Sequence, residues 1–409
     1  MATDLSLLEL ARGRLDDTLK LLTSLVETSS HADNGEGVGR CASLLQERLV
    51  ALGFASRVVR VECPKTRQER HHLCARRPAR AAGAPKLLLL GHLDTVFEAE
   101  HPFRGVSRDG NVWRGPGIAD MKGGLCTAIL TLELLQVRRA LDALDIRVLF
   151  VGDEEQGSAS ARELLLEAGA WADVTLCFEA AREDGNVVVA RKGYGLAHIE
   201  ARGPGGHAGI AHDKAPNALT LLARAIDRAE AIEREVPGLS VSPGGRVTVE
   251  PASVTRIPEH ASAELEFRFV AHRDAEHVLA RLTEIEHALA SEAPSGQLRI
   301  QAHIDTPPFD LTASGKLLLA CYRDAAAAFD LRVEGVSTAG VGDINLVAAQ
   351  GAACLDGVGP RGAGFHTERE YLEIDSVALR ASVAAQTCID LPRQLRLLRA
   401  PTSAAAYHG

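Results

Sequence analysis

No pair of cysteines in this chain has the C-x-x-C spacing of a thiolate zinc site, and no serine sits in the G-x-S-x-G elbow of a serine hydrolase. The eight cysteines (Cys41, Cys63, Cys74, Cys126, Cys177, Cys321, Cys354 and Cys388) are scattered, mostly inside apolar runs, which favours buried reduced thiols over disulfides. The glycine-rich run from Gly115 to Gly124 is neither G-x-G-x-x-G after a strand nor a P-loop, so the usual phosphate cradles are missing. A basic stripe is also lacking. With a formal charge of -9 and a pI near 5.9, nucleic acid and anionic membranes are excluded as main partners. The N-terminal stretch carries acids and an arginine early on and reads as neither signal peptide nor membrane span, which points to the cytoplasm. There is no internal repeat.

What is present is length and apolar content. At 409 residues with 46% hydrophobic side chains, the chain exceeds one core, and two domains are expected. Three apolar runs, Leu87–Leu90, Ile146–Val151 and Val174–Phe178, suit strands of a parallel sheet buried on both faces, although periodicity alone leaves buried helix open. With helical patterning over 7–25, 37–52 and 121–137, these runs give the alternation of an α/β fold: a mostly parallel sheet with flanking helices. Ser160 and Glu163 have the spacing of a capping box opening a helix over 161–167. From about residue 191 the pattern changes to alternating strands and two long helices, an α+β domain inserted over 191–304. The larger domain thus spans 1–190 and 305–392, and the patternless tail 393–409 is expected to be mobile. The polar, Arg-rich stretch 63–80, with the pair His71-His72, reads as a solvated strand edge rather than a metal site.

Each long apolar run ends in potential metal ligands: His92 and Asp94 after the first, Asp153-Glu154-Glu155 after the second, Glu179 after the third. Ligands of open α/β sheets bind beyond such strand ends, so these residues are expected to meet in one crevice, with Asp120 and His366 completing the set. Each has a plain alternative. Asp120 would serve as an ordinary helix N-cap, His366 as a satisfied loop histidine, and Glu154-Glu155 as solvated turn acids. Taken together, two imidazoles and three carboxylates are ligands that suit Zn²⁺ without any thiolate. In that reading Asp94 accepts a hydrogen bond from His92 and fixes its tautomer. One acid of the Glu154-Glu155 pair ligates while the other takes a proton from water, and one Asp bridges two ions.

These residues lie in five motifs: Gly91-His92-Leu93-Asp94-Thr95, Gly117-Ile118-Ala119-Asp120-Met121-Lys122-Gly123, Asp153-Glu154-Glu155-Gln156-Gly157-Ser158, Gly206-His207-Ala208-Gly209 and Phe365-His366-Thr367. In order and spacing they resemble the di-zinc metallopeptidases that include glutamate carboxypeptidase, aminoacylase, acetylornithine deacetylase and succinyl-diaminopimelate desuccinylase. The resemblance implies two Zn²⁺ per subunit, replaceable by Co²⁺, with His92 and Glu179 on one ion, Glu155 and His366 on the other, and Asp120 bridging. It implies Asp94 as the orienting residue, Glu154 as general base, His207 as an oxyanion donor reaching a partner subunit's site, and Arg268 as a contact for substrate carboxylate. It further implies a catalytic domain with an inserted ferredoxin-like dimerisation domain, a homodimer, and hydrolysis of an amide bond in a small N-acyl amino acid or short peptide.

The chain departs from its relatives at Thr255 and Thr306, where they carry Asn and Arg, and at Gly340-Val341-Gly342-Asp343 in place of Gly-Gly-[ST]-Asp. Thr cannot supply a bidentate carboxylate clamp, which leaves Arg256 and Arg361 as candidate substitutes. The alternative function is a scaffold or binding protein that retains metal without turnover.

Overall fold

Helices α1 (Leu7–Arg12), α2 (Leu15–Glu27) and α3 (Gly35–Ala51) lead into strands β1 (Ala55–Glu62), β2 (Glu69–Arg77) and β3 (Lys86–His92), then α4 (Gly123–Val137), β4 (Asp145–Val151), α5 (Arg162–Trp171) and β5 (Val174–Cys177). The structure is a computed structural model and describes residues 5–211 and 216–399. It divides into two compact units: 1–190 with 310–337 and 342–409, and 191–309 with 338–341.

The inserted unit holds β6 (Gly193–Arg202), α6 (Ala218–Glu230), β7 (Ser240–Glu250), β8 (His260–Phe269), α7 (His272–Glu292) and β9 (Gln297–Thr306). The larger unit resumes with α8 (Ala313–Ala327), α9 (Asp343–Ala348), β10 (Ala353–Leu355) and α10 (Ile374–Arg399).

The larger unit is built on a six-stranded sheet of order β1-β2-β4-β3-β5-β10. β3 runs parallel to both β4 and β5, and β10 is parallel to β5, while β1 and β2 form an antiparallel margin. Leu87 to Leu90 are wholly buried because β3 has neighbours on both edges and helices on both faces, as their unbroken apolar run requires. α4 is apolar on nearly every side and buried through most of its length, with Glu133 and Gln136 near its end the exceptions. Its first turn closes onto the end of β5 through Gly124, where a Cβ would stand 1.8 Å from the Phe178 carbonyl oxygen. A small antiparallel sheet, in the order Gly362–Ala363, Tyr371–Glu373, Val112–Arg114 and Ser107–Asp109, adds two loops beside these strand ends.

Three expectations for the larger unit are corrected. The stretch expected to be a solvated strand edge is β2, the second strand of the sheet, and Arg70 and His72 on it are 1% and 0% exposed. Their polar atoms find partners distant in sequence: Arg70 bonds Asp33 at 2.6 Å and Gln156 at 2.7 Å, and His72 meets Ser160 at 3.0 Å. Ser160 caps no helix, since its hydroxyl is spent on Asp153 at 2.7 Å and α5 starts at Arg162 without a side-chain cap. The helix expected over 7–25 is two helices, divided at Gly13.

In the inserted unit the chain order β-α-β-β-α-β and the sheet order β7-β8-β6-β9, antiparallel throughout, make a ferredoxin-like layer. Ala197, Ile199 and Ala201 of β6 alternate inward against Leu221, Leu222 and Ala225 of α6 and Val278, Leu282 and Ile285 of α7. Pro243 is tolerated because β7 is an edge strand. This unit extends to Phe309, past the expected end at 304, because Phe309 and Arg191 exchange backbone hydrogen bonds.

The cysteines remain thiols, seven buried and Cys74 partly exposed. Among the described residues, no helix is long and apolar enough to cross a membrane. α10 continues through Pro392 to Arg399, and the rest of the expected mobile tail, 400–409, lies outside the described residues.

Candidate metal centre

The carboxyl ends of β3, β4 and β5 deliver His92, the Glu154-Glu155 turn and Glu179 to one side of the sheet. Asp120 arrives on the turn before α4, and His366 on the loop before the strand Tyr371–Glu373. His92 Nε2 lies 3.0 Å from Asp120 Oδ1 and 3.6 Å from a Glu179 oxygen. His366 Nε2 lies 3.2 Å from Asp120 Oδ2 and 3.1 Å from a Glu155 oxygen. The five residues therefore form two groups, each with one imidazole and one glutamate, and Asp120 turns a different oxygen to each.

An imidazole nitrogen this close to a carboxylate oxygen requires a proton or a cation between them. On His92 burial opposes charge, but hydrogen bonds to Asp120 and Asp94 overcome it and raise its pKa well above the usual imidazole value. His366 is pushed up to about 10 by Asp120 and then Glu155. Burial raises the pKa of Asp120, but His366 and His92 outweigh it and hold the carboxyl below its ordinary range. Glu155 is raised by burial against the pull of His366. A pocket with this appetite for protons has the donor set for divalent cations, which compete for the same lone pairs. His92, Asp120 and Glu155 each offer a ligand atom, and these atoms lie within 4.8 Å of one another.

Asp94 differs from expectation in which of its atoms meets His92. His92 Nδ1 lies 3.0 Å from the main-chain carbonyl of Asp94 and 3.5 Å from its carboxylate. The carboxylate instead accepts the amides of Glu154 at 3.2 Å and Glu155 at 3.0 Å. A bond from Nδ1–H to that carbonyl points Nε2 at Asp120, so the backbone fixes the tautomer and the side chain fixes the acid pair. Asp120 is no N-cap either: α4 begins at Gly123, and Asp120 lies in a non-helical kink before it.

Glu154 is partly buried. Burial raises its pKa well above the carboxylate range against the pull of His92, and Asp343, Glu179 and Glu155 raise it further. The turn that carries it is held from below. His72 accepts the Gly152 amide at 3.2 Å, Asp153 accepts the Ser160 amide at 2.8 Å, and the Ser158 hydroxyl donates to Asp343, which burial pushes up to about 7.

Two residues of importance here escaped the sequence reading. His72 lies among arginines in sequence, a pattern that reads as solvated. Glu370, wholly buried, accepts the amides of Gly117 at 2.9 Å, Ala119 at 2.8 Å and Asp120 at 2.9 Å. Its only sequence signal was an acid just ahead of the apolar Tyr371-Leu372.

The remaining candidates lie in the inserted unit. His207 is exposed on the two-residue strand Gly206–His207, which pairs with Arg256–Ile257, and its Nδ1 accepts the Gly209 amide at 3.1 Å. Arg268 on β8 bonds Glu266 at 3.1 Å and lies 5.6 Å from the centre of the Tyr194 ring. Thr306 donates its hydroxyl to Asp305 at 2.8 Å. The candidate substitutes are engaged as well, Arg256 with Glu259 at 2.6 Å and, in the larger unit, Arg361 with Glu373.

The sequence profile of peptidase family M20/M25/M40 matches residues 88–390. Carboxypeptidase G2 of Pseudomonas sp. (strain RS-16) is 27% identical over 391 residues, covering 91% of this chain and 89% of the relative. A succinyl-diaminopimelate desuccinylase of Xanthomonas oryzae pv. oryzae is 28% identical over 381 residues, 88% of this chain and 95% of its own. Among solved structures, a dinuclear metal-binding peptidase of Bacillus subtilis superposes with a TM-score of 0.70 at 15% identity, covering 94% of this chain and 99% of that one.

Proposed function

The chain belongs to peptidase family M20/M25/M40 and is a hydrolase of peptide or amide bonds, and from that premise we propose a two-metal amidohydrolase acting on a small N-acyl amino acid or short peptide. One observation carries the reading: two imidazoles meet opposite oxygens of Asp120, each beside its own glutamate. His92, Glu179 and Asp120 Oδ1 would hold one cation, and His366, Glu155 and Asp120 Oδ2 the other. Imidazole and carboxylate donors without thiolate suit Zn²⁺, with Co²⁺ as a substitute. When bound, the pair would polarise the scissile carbonyl and acidify the attacking water.

The protein's own groups do the rest. Glu154 takes a proton from water as the water oxygen attacks the carbonyl carbon, then returns it to the amide nitrogen as the C–N bond breaks. Asp94 aims the residue by gripping its amide. In a homodimer, His207 would donate to the oxyanion of the other copy's site, a role its exposed position supports. Arg268 is the candidate for a substrate carboxylate, which would have to displace Glu266 from it. Carboxypeptidase and desuccinylase activity among the relatives support an acyl group joined to an amino acid.

The test is Glu154→Gln in zinc-loaded protein, assayed on N-acetyl, N-succinyl, N-aroyl and γ-glutamyl amino acids and on dipeptides. Turnover is expected to fall about 100- to 10,000-fold with metal content unchanged. Equal rates would overturn the role of Glu154. Hydrolysis of no substrate in the panel would favour the metal-retaining scaffold.

A further inference from the structure

We infer that Glu370 is a positioning residue that sets the spacing between Asp120 and His366, and with it the affinity of the His366–Glu155 position for a divalent cation. The inference rests on the two-metal reading above. Its basis is a carboxylate with no exposure to solvent whose two oxygens receive three main-chain amides, Gly117 on one and Ala119 and Asp120 on the other. Three main-chain bonds accepted by one buried carboxyl group leave the turn little freedom.

The geometry explains why this residue couples two ligands rather than merely stabilising a loop. Strand Tyr371–Glu373 pairs antiparallel with Val112–Arg114, with Tyr371 opposite Arg114. The Asp120 turn leaves this ladder immediately after Arg114, and the His366 loop enters it immediately before Tyr371. Both ligands thus hang from one end of one ladder. Glu370 is the last residue of the incoming loop, and its side chain crosses to the outgoing one.

Within the incoming loop, Glu370 donates its amide to the Thr367 carbonyl at 3.1 Å, and Thr367 bonds the Gly364 carbonyl through its amide at 3.1 Å and its hydroxyl at 2.7 Å. Only three residues lie between His366 and Glu370, and His366 has a φ of +61°. On the outgoing turn, Gly117 has a φ of +69°, and a Cβ there would stand 2.3 Å from Thr95 Cγ2, so the cradle of amides needs glycine at that position.

Neither His92 nor Glu179 belongs to this ladder, since both come from the central sheet. Loosening the Glu370 clasp therefore affects the two metal positions unequally. The shared Asp120 shifts relative to both imidazoles, but only on the His366 side are both partners of that contact released.

The test is calorimetric titration of Zn²⁺ into chelator-treated, full-length wild type and Glu370→Gln, with Co²⁺ absorption as a second readout of ligand geometry. Gln keeps the shape but loses the charge and turns an N–H₂ toward one amide donor. Wild type is expected to bind two ions per chain. Glu370→Gln is expected to keep one with near-native affinity and bind the second about 10- to 100-fold more weakly, with kcat restored at high metal and KM unchanged.

Gly117→Ala, which displaces the amides while leaving Glu370 intact, should give the same split, and it keeps the question answerable if the Gln variant fails to fold. Wild-type affinity at both positions in either folded variant would overturn the inference while leaving the two-metal reading standing. Failure of wild type itself to bind two ions would overturn that reading instead.

Discussion

The two halves of the metal centre are built differently. His92 is 1% exposed, stands at the end of a central strand, and has its Nδ1 against a backbone carbonyl, so the sheet itself sets its position. His366 is 53% exposed, lies on a loop with a left-handed backbone, and meets only side chains at Nε2. Such a conformation costs a non-glycine residue on the order of 1–3 kcal/mol. The first half is fixed by the fold's main hydrogen-bond ladder; the second depends on side-chain clasps laid across loops. The contrast suggests an affinity difference between the two positions, with the strand-borne one tighter.

The largest effect should come from removing what the halves share. Asp120→Ala is expected to lower bound metal from two ions per chain toward none and to take turnover to background, as measured by elemental analysis of dialysed protein. Retention of two ions would break the comparison at its root. Next come the imidazoles. In chelated protein, His92→Ala should destabilise by about 1–3 kcal/mol, because buried acceptors lose their partner. His366→Ala, half-exposed, should cost under about 1 kcal/mol. Urea melts showing the reverse order would refute the assignment of rigid and clasped halves.

A third effect concerns the support under Glu154. His72→Ala removes the acceptor for the Gly152 amide and the partner of Ser160. Steady-state kinetics should show kcat lowered roughly 10- to 100-fold with KM little changed; a rise in KM alone would mean that the turn was not displaced.

The smallest effect, taken per pH unit, is pH linkage. The His366 pKa is raised to about 10, so at neutral pH a cation must displace its proton. Affinity at that position should therefore rise with pH, by up to about tenfold per unit for one proton, and flatten as pH approaches 10. Calorimetry in buffers of different ionisation enthalpy would show the released proton, and pH-independent affinity would contradict it.

The same contrast governs what could be read before the structure. The strands bearing His92, Glu154-Glu155 and Glu179 were legible because parallel strands buried on both faces leave unbroken apolar runs, and ligands follow such runs directly. β2 was not legible. Arg70 and His72 look solvated in sequence, and they are buried only because Asp33, Gln156 and Ser160, far along the chain, satisfy them. Ser160 matched a capping pattern, yet tertiary partners claimed its hydroxyl. Asp94 was recognised as important, but residue type cannot tell whether a carboxylate faces an imidazole or the amides of a neighbouring turn. Glu370 shows the same limit, since three amides gathered around one acid exist only once Gly117 and the ladder are in place.

The most direct test of the shared-carboxylate centre is anomalous diffraction at the zinc edge from crystals grown with the metal. The account predicts two peaks per chain, one beside His92 and Glu179 and one beside His366 and Glu155, with Asp120 between them. A single peak, or two peaks that do not share Asp120, would contradict it.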